Sequence, residues 1–251
     1  MNYRLSRCFK ALPNAALATA LVGGVWAQPA SAAPATRIAA GANLSGNPYY
    51  PLVLGAKWVY SYTESTGSTF TSTQTVAGTS TSAAGTQVSI HSSTSLEPGK
   101  ILASTYTIAN GGTVKVEGSS GSGSSTSSFS STYWIPTASQ IQTCSDCKFS
   151  GPFSASIEGQ SLKGTLSETA TAMGPHTVSV PAGTFSTAEV RMTIAMHGTG
   201  VMALSSSLHF NLFLAKNVGL VEDTGGSMAM TVMGHAIDTS LGTDKLVSYK
   251  P

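Results

Sequence analysis

The chain has 251 residues, of which only 10% are charged, with 13 Lys and Arg against 11 Asp and Glu. Three of the basic residues lie within the first ten positions, so the remainder is close to neutral with a slight acidic excess. This balance excludes a basic stripe for nucleic acid and a polybasic patch for anionic lipid. We therefore predict no nucleic-acid partner, and the sequence identifies no protein partner.

The N-terminus has the three parts of a secretory signal peptide. Basic residues are followed by an apolar stretch over 15–27 and by a small-residue cleavage sequence that ends at Ala32. The apolar stretch has about 13 residues, against the ~20 that span a bilayer. We predict a signal peptide over 1–32, cleavage near Ala32, and an exported protein, periplasmic or extracellular, with no stable membrane anchor.

Two segments of biased composition divide the rest of the chain. Residues 33–47 are rich in Ala, Gly, Asn and Pro, which predicts a flexible linker. Residues 48–251 predict a single antiparallel β domain. Within it, residues 118–131 are almost entirely Ser and Gly, and we predict a flexible loop there because the β pattern continues on both sides.

The β pattern begins near residue 49. Trp58, Tyr60 and Tyr62 alternate with smaller residues, which places three aromatic side chains on one face of a strand. Asn110-Gly111 is a hairpin signal between strand-like runs. Further short strands are predicted at 68–76, 86–93, 101–108 and 112–117.

The C-terminal half predicts four longer strands, at 186–197, 202–214, 219–232 and 242–249, each with one apolar and one polar face. Such strands form a curved sheet whose apolar face has to be covered. The predicted fold class is mainly β, a single curved antiparallel sheet or half-barrel with little helix. An open barrel or a sandwich is the alternative.

The apolar face of the long strands is the candidate ligand-binding surface. It is rich in Met, which fills irregular space and suits surfaces that accept varied ligands. The predicted ligand is a lipid or another apolar small molecule. The candidate residues are Met192, Ile194, Met196, Met202, Leu204, Leu208, Phe210, Leu212, Met228 and Met230.

Cys144 and Cys147 are the cysteines that remain after the predicted leader. In an oxidising compartment such a pair predicts a disulfide that closes a tight loop. The alternative is a thiol redox or metal site. A redox site needs the motif to open a helix after a strand, and the following residues, 148–152, do not resemble a helix start.

The sequence contains no recognisable catalytic motif. It lacks a Gly-x-Ser-x-Gly elbow, a His-Glu-x-x-His pair and a phosphate-binding glycine loop before a helix. A copper(I) site built from Met with His197, His209 and His235 is conceivable by ligand chemistry, but the methionines fit the apolar faces of their strands. We predict no metal, no cofactor and no enzymatic activity.

Three stretches resemble a known group of sequences. They are Tyr50–Tyr60 (YPLVLGAKWVY), Val178–Phe185 (VSVPAGTF) and Val218–Val221 (VGLV), about a tenth of the chain. They resemble the Tyr-Pro-Leu, Gly, Trp-x-Tyr and Val-Pro-Ala-Gly-Thr-Phe motifs of exported bacterial β proteins of unknown function. That group is similar to the half-barrel of periplasmic lipoprotein carriers, which implies a curved sheet around an apolar cavity. Many members are lipoproteins, whereas the residue directly after the predicted cleavage point here is Ala33 and not a cysteine that could carry a lipid.

The sequence favours a binding module for a lipid or other apolar ligand. The alternative is a structural or interaction protein of the cell envelope or surface, which the Ser/Thr-rich, weakly charged N-terminal half favours. An enzyme with a site assembled in space is less favoured. The state of the apolar face separates the first two hypotheses. If the protein's own elements cover that face, it is a core, whereas an open cavity of several hundred Å3 is a ligand site.

Overall fold

The computed structural model describes residues 41–251 except 83–84, 97, 100, 109–112, 123–124, 135, 158–159, 201–203 and 233–234. The predicted signal peptide and the first part of the predicted linker, 33–40, therefore lie outside the described residues. Within the described part, strands account for most of the chain, and the α-helix there has six residues. No helix among these residues is long and apolar enough to cross a membrane.

The elements follow one another as antiparallel strands, interrupted once by the helix. In chain order they are β1 (Lys57–Thr63), β2 (Thr69–Ser82), β3 (Gly85–Thr94), β4 (Leu102–Ile108), β5 (Thr113–Ser122), β6 (Ser125–Trp134), α1 (Ala138–Thr143), β7 (Cys147–Ile157), β8 (Gln160–Val180), β9 (Gly183–Gly200), β10 (Leu204–Ala215), β11 (Gly219–Val232), β12 (His235–Ser240) and β13 (Thr243–Lys250).

All thirteen strands among the described residues belong to one sheet. From β10 back to β1, every neighbour in the sheet is also the neighbour in the chain, and the order continues β13, β11, β12. Strand β11 pairs with β10 as well as with β13. Because β10 and β13 are far apart in the strand order, this double pairing bends the sheet strongly. The prediction of a mainly β, curved antiparallel sheet with little helix is confirmed.

The core lies on the inner, concave face of this sheet. Along β9, the residues from Val190 to Met196 alternate between buried and more exposed positions, as the period-two pattern predicts. The main buried cluster draws side chains from both halves of the sheet, and two smaller clusters lie apart from it, one at Tyr62 and Phe70 and one at Val178, Ala215 and Val221.

The described residues of the segment 118–131, predicted as a flexible loop, are paired in strands. Residues 118–122 lie in β5 and residues 125–131 lie in β6, with Ser119 opposite Ser128 and Gly121 opposite Thr126, while 123–124 lie outside the described residues. Strand pairing depends on backbone hydrogen bonds, which Ser and Gly provide as well as other residues. The Ser/Gly composition therefore gave a misleading signal.

Candidate functional site

The candidate ligand-binding residues lie on the inner face of the sheet wherever the structure describes them. Leu212 is partly buried and packs against the main core cluster. Leu204 and Met230 are in strands, although their side chains lie outside the described part, and Met202 lies outside it altogether. The fully buried candidates are Met192, Ile194, Met196, Leu208, Phe210 and Met228.

Two of the protein's own elements cover this face. One is residues 43–56, called here the N-terminal segment, and the other is α1. Tyr49 and Leu52 of the segment and Ile141 of α1 are buried in the same cluster as the candidate residues. In the described part of the chain, the inner face is therefore a packed core.

The N-terminal segment is tied to the rest of the protein by hydrogen bonds from several directions. These bonds reach β2, the turn before β11, the residues before α1, and α1 itself. They are Gly55 N to Val76 O (3.0 Å), Val76 N to Ala56 O (3.0 Å), Asn217 N to Pro48 O (2.6 Å), Asn47 Nδ2 to Pro136 O (2.8 Å) and Gln142 Nε2 to Tyr49 Oη (3.0 Å).

Within the segment, Asn43 organises a loop that the sequence had assigned to the linker 33–47. Its Oδ1 accepts hydrogen bonds from Leu52 N (3.0 Å), Ser45 N (3.2 Å) and Ser45 Oγ (2.9 Å). Its Nδ2 donates to Asn47 O (2.9 Å). Residues 43–47 of the predicted linker therefore form a hydrogen-bonded loop, in which one amide side chain satisfies backbone groups of an otherwise irregular segment.

We expect Asn43→Ala to lower the free energy of unfolding by about 2–4 kcal/mol, since four hydrogen bonds worth about 1 kcal/mol each are lost. Asn43→Asp is the matched variant, because it keeps the accepting Oδ1 but puts a charged acceptor where Nδ2 donates to Asn47 O, and it should cost about 1–2 kcal/mol. Urea denaturation measures both. Equal losses for the two variants would contradict the organising role of Oδ1.

Helix α1 begins with a capping box. Gln140 N donates to Thr137 Oγ1 (3.3 Å), and Thr137 N donates to Gln140 Oε1 (2.9 Å). The helix ends at Thr143. Its C-cap, Cys144, is joined by a disulfide to Cys147 at the start of β7, with 5.8 Å between the Cα atoms. The cysteines follow the helix instead of opening one, so the arrangement that a redox site requires is absent here.

The inner face also carries buried polar groups. Glu168 of β8 is only 2% exposed. Burial, and after it the charge of Glu168, raises the pKa of the Tyr50 hydroxyl. Ser206 Oγ is buried and has no hydrogen-bond partner. These groups lie among apolar neighbours and do not form a group of three or more metal-binding side chains within the described residues.

A second polar cluster was not predicted from the sequence. Asp223 of β11 and Asp244 of β13 lie opposite each other, beside Tyr62 of β1. Burial and the neighbouring Asp244 raise the pKa of Asp223 to about 7, while burial raises the pKa of Asp244 to about 6. Opposed carboxyl groups of this kind hold protons that exposed carboxylates lose.

The outer surface beside this pair contains an open cleft of about 380 Å3. Its polar wall includes the ion pair of Lys245 Nζ and Glu222 Oε1, 3.4 Å apart. The lining residues are Thr63, Glu64, Ser65, Glu222, Leu241, Gly242, Thr243 and Lys245. None of the candidate apolar residues predicted from the sequence lines this cleft.

Two of the histidines considered for metal lie on the outer face and bond to hydroxyl groups. His209 contacts Thr193 Oγ1 (3.0 Å) and Ser207 Oγ (3.1 Å) through its two ring nitrogens. His197 Nδ1 contacts Ser205 Oγ (3.2 Å). The side chain of His235 lies outside the described part. The buried methionines point to the opposite face of the sheet, so the structure separates the two halves of the conceivable copper site.

Neither a protein-family model nor a curated protein matches this chain. A candidate lipoprotein from Parabacteroides distasonis ATCC 8503 is 14% identical, with a TM-score of 0.48 over 81% of this chain and 99% of that one. A candidate exported protein with a YmcC-like fold from Bacteroides fragilis NCTC 9343 is 13% identical, with a TM-score of 0.47 over 79% and 96%. These likenesses assign no ligand, site or activity to this chain.

Proposed function

We propose that this chain is an exported, non-enzymatic protein that acts through its outer surface as a structural or interaction module. Its apolar inner face is then its own core and not a ligand site. One observation supports this proposal above the others: the N-terminal segment and α1 cover that face and are buried with it. Export is proposed from the signal-peptide pattern that ends at Ala32.

The free energy needed to remove the N-terminal segment from the apolar inner face argues against a carrier of apolar ligands. The five hydrogen bonds of the N-terminal segment contribute about 1 kcal/mol each. Exposing the buried side chains of Tyr49 and Leu52 adds about 1.5–3 kcal/mol for each. The sum is comparable with the 5–15 kcal/mol that stabilises a whole domain. A ligand that displaced the segment would have to recover this free energy before it bound with any net affinity.

Binding of an apolar ligand remains the second candidate function, because Met192, Met196 and Met228 are all buried in the same cluster. Methionine adapts its shape to different neighbours more readily than branched side chains do. A ligand would then occupy the space that the N-terminal segment and α1 fill in this structure.

Native mass spectrometry of the mature protein, purified from its own host, tests the proposal. We expect the mass of the bare chain, no lipid after organic extraction, and no change in the melting temperature when fatty acid or phospholipid is added. The same titration after unfolding and refolding controls for a ligand that blocks the site. An apolar molecule at about one per chain would overturn the proposal in favour of the carrier.

A further inference from the structure

The pairing between β11 and β13 forms a short junction, called here the seam. It consists of two residue pairs, Glu222 with Lys245 and Asp223 with Asp244. By contrast, β8 and β9 pair along most of their length. The seam joins the C-terminal strand, which lies against β1, to the strands that continue from β10. A change at these two pairs therefore alters how the two parts of the curved sheet are held together.

The inner side of the seam is acidic and poorly compensated. The backbone N–H of Asp244 donates to the Asp223 carboxylate, while Asp244 Oδ1 is buried without a hydrogen-bond partner. An unpartnered buried carboxylate oxygen is costly when the group is ionised. Protonation of either carboxyl group would remove one of the two negative charges at this position.

The surrounding groups do not supply a cation to this side. Lys245 lies on the outer side of the seam, where it pairs with Glu222. Strand β1 contributes Tyr60 and Tyr62, whose hydroxyls donate to or accept from backbone groups, and β13 contributes Tyr249. Glu64, in the turn after β1, adds a further negative charge near Tyr62. The described charges around the pair therefore favour a protonated carboxyl group.

We propose that Asp223 and Asp244 form a proton-operated latch. The seam stays paired while at least one of the two carboxyl groups is protonated, and it loosens when both are ionised. The pairing at the seam is thus controlled by pH. An exported protein, as proposed above, meets a pH that varies with its surroundings.

The direction of the pH dependence follows from the pKa values. Both pKa values are raised from 3.8 in the folded protein, to about 7 for Asp223 and about 6 for Asp244. The folded protein therefore holds protons that the unfolded chain has released, so stability falls as the pH rises from about 4 through about 7. Above that range the stabilisation from these protons is absent.

Hydrogen exchange of the whole mature protein tests the latch at about pH 5 and about pH 8, after correction for the intrinsic exchange rate. We expect the seam amides to lose protection at the higher pH, while amides in the β8–β9 ladder keep it. The melting temperature should fall by about 5 °C or more over the same range. Uniform loss of protection over the sheet, or no loss at the seam, would overturn the proposal.

Asp223→Asn removes the paired charge with little change in shape, so the seam should stay protected at both pH values. Asp238→Asn, on an exposed position of β12, is the matched control and should keep the wild-type pH response. A wild-type response in Asp223→Asn would contradict the latch. If that variant fails to fold, carboxyl-carbon NMR titration of the wild type decides instead, since ordinary pKa values for both groups would also overturn it.

Discussion

Replacing Gly164 with Ala is expected to lower the free energy of unfolding by about 3 kcal/mol or more, or to prevent folding. Gly164 of β8 lies opposite Gly198 of β9 and Phe153 of β7. An added Cβ would overlap the carbonyl oxygen of His197 and would lie 2.7 Å from both Gly198 Cα and the Phe153 ring. Two of these neighbours are backbone atoms, which cannot move aside without breaking the β8–β9 ladder.

Gly78→Ala provides the matched control for this substitution. Gly78 also lies in a strand, β2, but an added Cβ there would meet only Ser89 Cβ, at 4.0 Å. We expect it to change stability by less than about 0.5 kcal/mol, as surface substitutions usually do. Urea unfolding of the two variants measures the difference. Similar stabilities would show that the strands around Gly164 separate easily, which contradicts the close packing of β7, β8 and β9.

The strands β9 and β10 could be predicted because their side chains alternate over Val190–Met196 and Ser205–Phe210. In β9 and β10, Met192 and Phe210 lie opposite each other on the buried face, while Thr193 and His209 lie opposite each other on the outer face. A period of two leaves little freedom in which face is buried. The residues 118–131 lack this alternation, so their pairing in a hairpin left no signal in the pattern.

The residues at the start of helix α1 carry a sequence signal for a helix N-terminus. The sequence Thr137-Ala138-Ser139-Gln140 is a capping box, followed by the apolar Ile141. It marks a helix start even though the helix has only six residues. The sequence does not indicate where the helix packs, because the cluster around Ile141 is formed by strands distant in the chain.

The aspartate pair was missed because a bulge changes the face on which Asp223 lies. Leu220 is opposite Leu214 and Glu222 is opposite Phe213, so Val221 has no partner in the β10–β11 ladder. Simple alternation from Leu220 would place Glu222 on the inner face and Asp223 on the outer one. The extra residue reverses this assignment, and no turn residue at that position announces it.

The stability losses caused by truncating two methionines, one buried and one exposed, distinguish a packed core from a ligand site. Met192→Ala should lower the free energy of unfolding by about 2–5 kcal/mol, because Met192 is buried between Ala170 and Phe210 and its removal leaves a cavity. Met173→Ala, on β8, removes the same atoms from a side chain that is 39% exposed. It should cost less than about 1 kcal/mol.

Chemical denaturation of both variants, with and without added fatty acid, tests this contrast. If Met192 lined an open cavity, its truncation would remove few packing contacts, and the two variants would differ little in stability. Added fatty acid would then stabilise the wild type more than Met192→Ala. A large loss in Met192→Ala with no effect of fatty acid on either protein would show that this methionine fills a core. We expect Met192 to behave as a core residue, because hydrogen bonds hold residues 43–56 over the inner face of the sheet. A ligand would have to break them to reach that face.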